Sequence, residues 1–415
     1  MKELKGACII AQSGGPTSAI NASALGAIES ALDNPCITAV YGASNGIRGV
    51  LDNRLFQMDK EDREELAHLK YTPSSVLGSC RYKLQDPDTD EADYKRILEI
   101  FKRYDVRYFF YNGGNDSMDT CNKISKFMLK NHYECRVMGI PKTIDNDLSG
   151  TDHCPGYGSA AKYVATSCME IYLDARVYDI GMITVIEVMG RHAGWLTAAA
   201  ALAGDYAPDL IYLPEVPFDV EQFISDTAAI YKKNGKAIVA VSEGIQDKNG
   251  KFINEYGISS PQTRDSFGHA ELGGLAATLV SMIKARRIFG SVKVRGIEFS
   301  LLQRCASHVA SQTDLDESYA AGKAAVDNAV IGITDKMVGF KCSRDGGYKC
   351  ELELLPLDVV ANTEKRVPRE WINEAGNGIL QGYVDYAMPL IQGETLQQKE
   401  NGLPRFARLK KIVAR

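Results

Sequence analysis

Two carboxylates, Asp145 and Asp147, flank Asn146 just after the apolar run Arg136–Ile140, with Lys142 and Thr143 immediately before them. Such a grouping suits transfer of a phosphoryl group to a hydroxyl, which needs a base on the hydroxyl and positive charge on the phosphate oxygens. On this reading Asp145 is the base, Lys142 a clamp on the donor, and Asp147 an orienter or indirect metal partner. Taken alone, the cluster is equally a solvated turn. Two other apolar runs end in small and polar residues. Ala7–Ala11 leads into Gln12-Ser13-Gly14-Gly15-Pro16-Thr17, and Val106–Tyr111 into Asn112-Gly113-Gly114-Asn115-Asp116-Ser117. Adjacent glycines let backbone N–H groups approach an anion, and a following helix adds a favourable dipole. One Gly-rich turn is commonplace; three such clusters within 150 residues point to an anion site.

Regular elements must hold these clusters. Further strand-like runs occur at Ile37–Tyr41, Gly181–Val188, Leu210–Leu213, Lys236–Val241 and Val294–Leu302. Helical periodicity marks Ser18–Ala31, Asp90–Tyr104, Ser117–Lys130, Ser159–Asp174, Val220–Lys233 and His269–Ile288. Alternation of this kind predicts parallel sheets covered on both faces, with ligands at the carboxyl ends of the strands. Later, Lys336–Phe340 and Tyr348–Leu355 flank the turn-rich Ser343–Gly347 and predict a hairpin. A chain of 415 residues with 45% apolar content can build two such sheets and bury large cores.

Composition excludes several classes. A formal net charge of −5 offers no basic field to nucleic acid or to an anionic membrane. No apolar run approaches the ~18 residues of a membrane span, and Met1–Ile10 lacks a signal-peptide core, so a cytoplasmic protein is expected. The ten cysteines and six histidines form no CxxC and no HExxH; reduced, mostly buried thiols are expected, with neither disulfides nor structural zinc. No GxxxxGK[ST] occurs. Gly156-Tyr157-Gly158-Ser159-Ala160-Ala161 fits a loose dinucleotide pattern but follows the polar Ser149–Pro155, where that motif needs a strand. The simpler reading is a helix start with Ser159 as its cap.

In order and in separation, Gln12–Thr17, Gly113–Ser117, Pro141–Asp147, Glu187–Gly194 and Gln303–Arg304 resemble the phosphofructokinase family, over at least residues 7–330. The resemblance implies an α/β protein of two doubly wound, mainly parallel domains, with the active site in the cleft between them. A donor-binding domain would comprise residues 1–155 plus about 303–355, and a sugar-phosphate domain 156–302 plus about 356–415. By the same resemblance, Gly14 contacts the phosphoryl donor through its backbone, and Arg81 reaches the donor phosphates. Thr143, Asp145 and Asp147 surround the reacting hydroxyl, with Asp145 the base. Met189, Gly190 and Arg191 bind the sugar and its transferred phosphate, Glu243 holds sugar hydroxyls, and Arg295 and Arg304 grip a 6-phosphate. Magnesium is the implied cofactor, and a homodimer or homotetramer the implied assembly.

ATP-dependent members of the family typically read GGDGS and PGTIDND, whereas this chain places Asp116 and Lys142 at two of those glycines. An aspartate there fills the space of an α-phosphate and repels its charge. A lysine offsets the charge that develops on a short donor. The paired change resembles the pyrophosphate-dependent branch, which implies pyrophosphate and fructose 6-phosphate as substrates. Three positions depart from the short ATP-dependent enzymes. Asn115 replaces an acidic residue that contacts magnesium, so the metal is expected mainly on phosphates and waters, near Asp116 or Asp145. Met182 replaces an arginine donated to a neighbouring subunit's site, and Leu301 a phosphate-contacting histidine. The rebuilt phosphate pocket leaves a sedoheptulose phosphate as an alternative acceptor; separately, an ATP-dependent sugar kinase is the competing reading. Thr17–Ala31 contains no Lys or Arg, so no anionic effector is expected on that helix.

Overall fold

Two sheets with buried inner strands organise the chain, beside a short two-stranded ribbon of Lys399–Glu400 and Leu403–Pro404, in a computed structural model that describes residues 4–257, 274–361 and 363–415. In chain order the strands are β1 (Gly6–Gln12), β2 (Ile37–Ala43), β3 (Leu55–Gln57), β4 (Val106–Gly113), β5 (Arg136–Pro141), β6 (Met182–Val188), β7 (Leu210–Tyr212), β8 (Lys236–Ser242), β9 (Lys293–Glu298), β10 (Lys336–Ser343) and β11 (Lys349–Pro356). The first sheet runs β11-β10-β5-β4-β1-β2-β3; its five inner strands are parallel and both edge strands antiparallel. The second runs β7-β8-β6-β9, all parallel. β10 and β11 form the expected hairpin.

Side-chain alternation gives each sheet two cores. Ile9, Ala11, Phe109 and Tyr111 face the helices Ala92–Arg103 and Asn115–Lys130, while Cys8, Ile10, Tyr108 and Phe110 face Ile20–Leu32 and Gln312–Val330. In the second sheet Ile186, Val188 and Ala240 pack towards the helix Tyr157–Ala175, and Ile183, Val185 and Val239 towards Val220–Asn234 and Leu275–Lys284. Truncating one of the large buried rings, Phe110 for example, is expected to cost about 3–5 kcal/mol.

Several elements differ from the periodicity reading. The helix Gln312–Val330 is absent from the expected set because its buried stripe, apart from Leu315 and Val326, has no large apolar residue, being mostly small: Ser318, Ala321, Gly322, Ala325 and Ala329. Those residues let it approach Ile20–Leu32 backbone to backbone. A Cβ on Gly322 would lie 1.8 Å from the Ser23 carbonyl oxygen, and one on Gly26 2.0 Å from that of Tyr319. The run Val294–Leu302 is a strand only to Glu298, since Ser300 turns into the left-handed region at φ 46° and Leu302–Cys305 is helical. Of His269–Ile288, Leu275–Lys284 is helical, and the part before Gly274 lies outside the described residues. Ser159 does not cap its helix. Gly156 does, at φ 99°, and Asp314 from Gln312–Val330 accepts the N–H groups of Gly156 (2.8 Å) and Ser159 (3.0 Å) and the Ser159 hydroxyl (2.5 Å).

The chain after β11 serves both sheets. Ile372, Tyr383, Tyr386 and Leu390 join a core of the second sheet. The tail, grouped from sequence with the sugar-phosphate half, lies against the first sheet: Gln57 N–H donates to Ile412 O and Ala414 N–H to Leu55 O, both at 2.8 Å. Among the described residues no helix is long and apolar enough to cross a membrane.

Candidate active site

Parallel registration brings the three sequence clusters together. Gln12 pairs with Asn112 and Gly113 with Pro141, so the loops after β1, β4 and β5 emerge side by side. Gly14 adopts φ 77°, a conformation that suits glycine. Its N–H donates to Cys80 O (3.2 Å) and its carbonyl accepts from the Ser79 hydroxyl (2.6 Å), which fixes the segment leading to Arg81 beside it. Lys142 is 3% exposed, and its Nζ donates to Gly15 O at 2.8 Å. A Cβ on Gly14 would come within 3.0 Å of that Nζ, and one on Gly15 within 3.5 Å of the Arg304 guanidinium. Burial pushes the Lys142 ammonium down to about 8, against the pull of Asp145 and Asp147; Arg81 and Arg304 push the same way.

The loop after β5 is fastened at several points. Thr143 N–H donates to Pro155 O (3.2 Å), and the Thr143 hydroxyl accepts from Asp145 N–H (3.1 Å). Asn146, at φ 55°, donates through Nδ2 to the Tyr386 hydroxyl (2.8 Å) and accepts Cys154 N–H on Oδ1 (2.9 Å). Lys365 N–H donates to Asp147 O at 2.7 Å. With Asn146 turned into the protein, the two carboxylates are left to the site. Burial raises the Asp145 carboxyl above its ordinary value, against Lys142, Arg191 and His192. Asp147 rises to about 7, through burial and the charges of Asp145 and Glu364.

The opposing wall comes from the second sheet. Val188 and Ser242 are register partners, so Met189–Arg191 and Glu243–Gly244 adjoin. Gly190, at φ 147°, has no room for a side chain: a Cβ would meet Ala193 O at 2.7 Å and Ser242 Oγ at 2.8 Å. At Gly244 a Cβ would meet Arg191 O at 1.9 Å. Met189 N–H donates to Gln303 Oε1 (3.0 Å), tying the Gln303–Arg304 turn to this wall. Glu243, which accepts Gly190 N–H at 3.4 Å, is pushed up to about 7 by burial and by Asp145. Arg191 Nε is buried without a hydrogen-bond partner, a donor aimed at no protein acceptor. Asp145 from the first sheet and Arg191 and Glu243 from the second thus act on one another electrostatically.

At the head of the helix Asn115–Lys130, Asn115 Oδ1 is likewise buried and unpartnered. An unused carbonyl oxygen fits one ligand position of a hard cation such as magnesium. Asp116 is partly exposed, with Lys83 Nζ 3.7 Å from its carboxylate.

The chain matches the sequence model of the family described as Phosphofructokinase over residues 7–297. It belongs to the phosphofructokinase family. The pyrophosphate–fructose 6-phosphate 1-phosphotransferase of Halomonas elongata is 44% identical over 97% of this chain and 95% of its own length. That of Methylococcus capsulatus is 43% identical over 96% and 94%. A crystal structure titled as the pyrophosphate-dependent phosphofructokinase from Marinobacter aquaeolei superposes with a TM-score of 0.88 at 38% identity, covering 99% of this chain and 98% of the other.

Arg295 stands apart from the gathered residues. On β9 it lies opposite Thr184, three residues short of the strand's end, which is roughly 10 Å along a strand. It pairs instead with Asp174 (2.9 Å), near the carboxyl end of the helix Tyr157–Ala175. Conversely, Glu364, Lys365 and His192 bear on Asp145 and Asp147 in the loop after β5 and were not among the expected residues. His192 lies within the Glu187–Gly194 motif, which was a usable signal. Glu364 and Lys365 sit in a segment without glycine or repeat, placed by long-range contacts: the bridge between Leu148 and Glu364 and the bond from Lys365 N–H to Asp147 O.

Proposed function

We propose that this chain transfers a phosphoryl group reversibly from pyrophosphate to the 1-hydroxyl of fructose 6-phosphate, giving fructose 1,6-bisphosphate and phosphate. The observation that carries the donor is Lys142: a buried ammonium stands among Gly14, Gly15 and Arg304, beside Asp145. Its place suits the oxygens of a short, highly charged donor, and charge developing in transfer would be met without reorganisation. The names of the relatives point the same way.

Asp145 takes the proton of the attacking hydroxyl; its raised carboxyl is a better proton acceptor than an ordinary aspartate. Asp147, raised to about 7 by burial and by the charges of Asp145 and Glu364, orients the loop beside the base, and Thr143 fixes its backbone. Arg81, Lys142 and Arg304 surround the donor and phosphate oxygens, while Met189, Gly190, Arg191 and Glu243 receive the sugar. Asn115 Oδ1 would supply one ligand to magnesium, which when bound would offset part of the donor's charge. Arg295, paired with Asp174 away from the gathered residues, would reach a 6-phosphate from a neighbouring subunit in the homodimer or homotetramer proposed here, a cytoplasmic assembly. The donor half comprises residues 1–155 and about 303–355 and the sugar half 156–302 with the segment around 367–391, the tail returning to the donor half.

A donor panel tests this directly: initial rates with pyrophosphate, ATP and GTP at fixed magnesium and fructose 6-phosphate. Pyrophosphate should be preferred by orders of magnitude. In Asp116→Gly with Lys142→Gly, pyrophosphate turnover should collapse and ATP become usable, whereas neither single change suffices. Preference for ATP in the unaltered chain would overturn the donor assignment and leave the sugar-kinase reading intact.

A further inference from the structure

The hairpin β10–β11 sets Cys342 directly opposite Cys350. Opposed residues of an antiparallel pair share a face of the sheet, with Cα atoms about 4.5–5.5 Å apart. That separation falls within the roughly 4.4–6.8 Å that a disulfide spans. Both thiols are free, only partly buried, and packed against the same core. The other two partly buried thiols have different company: Cys80 meets the Tyr111 hydroxyl at 4.0 Å and Cys305 the Leu301 carbonyl oxygen at 3.2 Å.

Around Cys342 lies a cradle for a thiolate. His153 Nδ1 is 3.7 Å from its sulfur and the Tyr348 hydroxyl 3.5 Å. His153 is itself buried, stacked on Phe340 with ring centroids 4.6 Å apart, and held between Asp152 (3.1 Å) and Glu317 (2.8 Å). Burial opposes its charge, yet hydrogen bonds to Asp152, Cys342 and Glu317 keep it well above its ordinary value. The Cys350 thiol, hydrogen-bonded to Cys342, lowers the Cys342 thiol to about 6 against burial, helped by His153 and Tyr348. Cys350 is driven the opposite way by the same hydrogen bond and by burial, and so keeps its proton. Asp152, His153 and Cys342 are close enough to suggest a metal site, but Arg344 already takes both Asp152 oxygens, at 2.8 and 2.9 Å. A guanidinium beside the ligands disfavours a second cation.

We propose that Cys342 and Cys350 form an oxidisable dithiol outside the active site, Cys342 being the thiolate that attacks a peroxide and Cys350 the thiol that resolves it. In the first step the Cys342 sulfur takes one peroxide oxygen: an S–O bond forms, the O–O bond breaks, and hydroxide leaves. In the second the Cys350 sulfur attacks that of Cys342. An S–S bond forms, the S–O bond breaks, and the departing hydroxide takes the Cys350 proton as water. The hydroxide from the first step is protonated by solvent, so two thiols and one hydrogen peroxide give one disulfide and two waters. The difference between the partners' environments assigns the order of attack.

The experiment uses the full, reduced chain at pH 7, treated with one equivalent of hydrogen peroxide and then with N-ethylmaleimide. Intact mass should show two thiols withdrawn from alkylation, and peptide mapping a Cys342–Cys350 link that dithiothreitol reverses. In Cys350→Ser the reaction should stop at a sulfenic acid, captured by dimedone on residue 342. Oxidation of Cys80 or Cys305 ahead of this pair would overturn the proposal. So would a dimedone adduct found elsewhere in Cys350→Ser, or wild-type protein in which both thiols stay open to alkylation.

Discussion

Replacing Lys142 by methionine should make the protein more stable at neutral pH while nearly abolishing its reaction. Burial takes the ammonium from its ordinary 10.5 down to about 8. A pKa difference of one is worth about 1.36 kcal/mol, so the charged form is held in the fold at a cost of about 3 kcal/mol. Methionine removes that cost and leaves the Gly15 carbonyl oxygen without its 2.8 Å partner, a loss of about 1–2 kcal/mol. The expected net gain at pH 7 is thus about 1–2 kcal/mol. With the folded value below the unfolded one, the handicap is complete below pH 8 and fades as pH rises towards 10.5. Between pH 7 and 9.5 the wild type should recover about 2 kcal/mol relative to the variant. Urea unfolding of both chains at one protein concentration, followed by fluorescence of Trp195 and Trp371, measures this difference. Pyrophosphate turnover of the variant should fall roughly 10²–10³-fold. A stability difference that does not change with pH would refute a charged lysine buried at the donor loops.

Asp145→Asn or Asp145→Ser should lower turnover roughly 10²–10⁴-fold with much smaller changes in KM, and near-full turnover in Asp145→Ser would remove it from the role of base. The carboxylates must be ionised to act, so kcat/KM should fall as pH drops through the raised Asp145 and Asp147 values; Glu364→Gln, which removes a charge that raises both, should carry that acid limb to lower pH, and an unmoved limb would count against the electrostatic link. The helix Ile20–Leu32 carries no Lys or Arg, so ADP and phosphoenolpyruvate should leave the fructose 6-phosphate saturation curve hyperbolic and in place; sigmoidal kinetics relieved by ADP would contradict this.

Most strands were legible because each is a short apolar run with a visible stop; the three-residue edge strand β3 was missed, being too short to show a pattern. β1, β4 and β5 end in Gly, Asn and charged residues that cannot continue a buried strand, and those stops are the site loops themselves. Helices with large apolar stripes were legible for the same reason. Gln312–Val330 was not, because its partner surface is built mostly from Ala, Ser and Gly, whose contribution is close approach and not hydrophobicity. The strand-to-turn break at Ser300 was hidden by the apolar residues on either side of it. Glycine-bearing motifs gave the most local information, since Gly14 and Gly190 take positive φ values and a Cβ on Gly190 would meet neighbouring atoms. Glu364 and Arg295 show the limit: one reaches the catalytic loop, and the other stands apart from it, through long-range pairing that local spacing does not encode.

The loop bearing Asp145 starts at the end of β5, in the first sheet, yet Asn146 within it is tied to Tyr386, whose ring belongs to a core of the second. Lys365 holds Asp147 from the same direction. The stretch from Lys142 to Asp145 is therefore a short tether strung between two bodies. Any change in the angle between the sheets must be absorbed by the torsions of these four residues, and the carboxylate at the far end has to follow. Under the proposed mechanism, substrate that draws the walls together would set the aim of the Asp145 carboxylate mechanically, and a partly filled cleft would leave it off target, limiting wasteful attack of water on the donor.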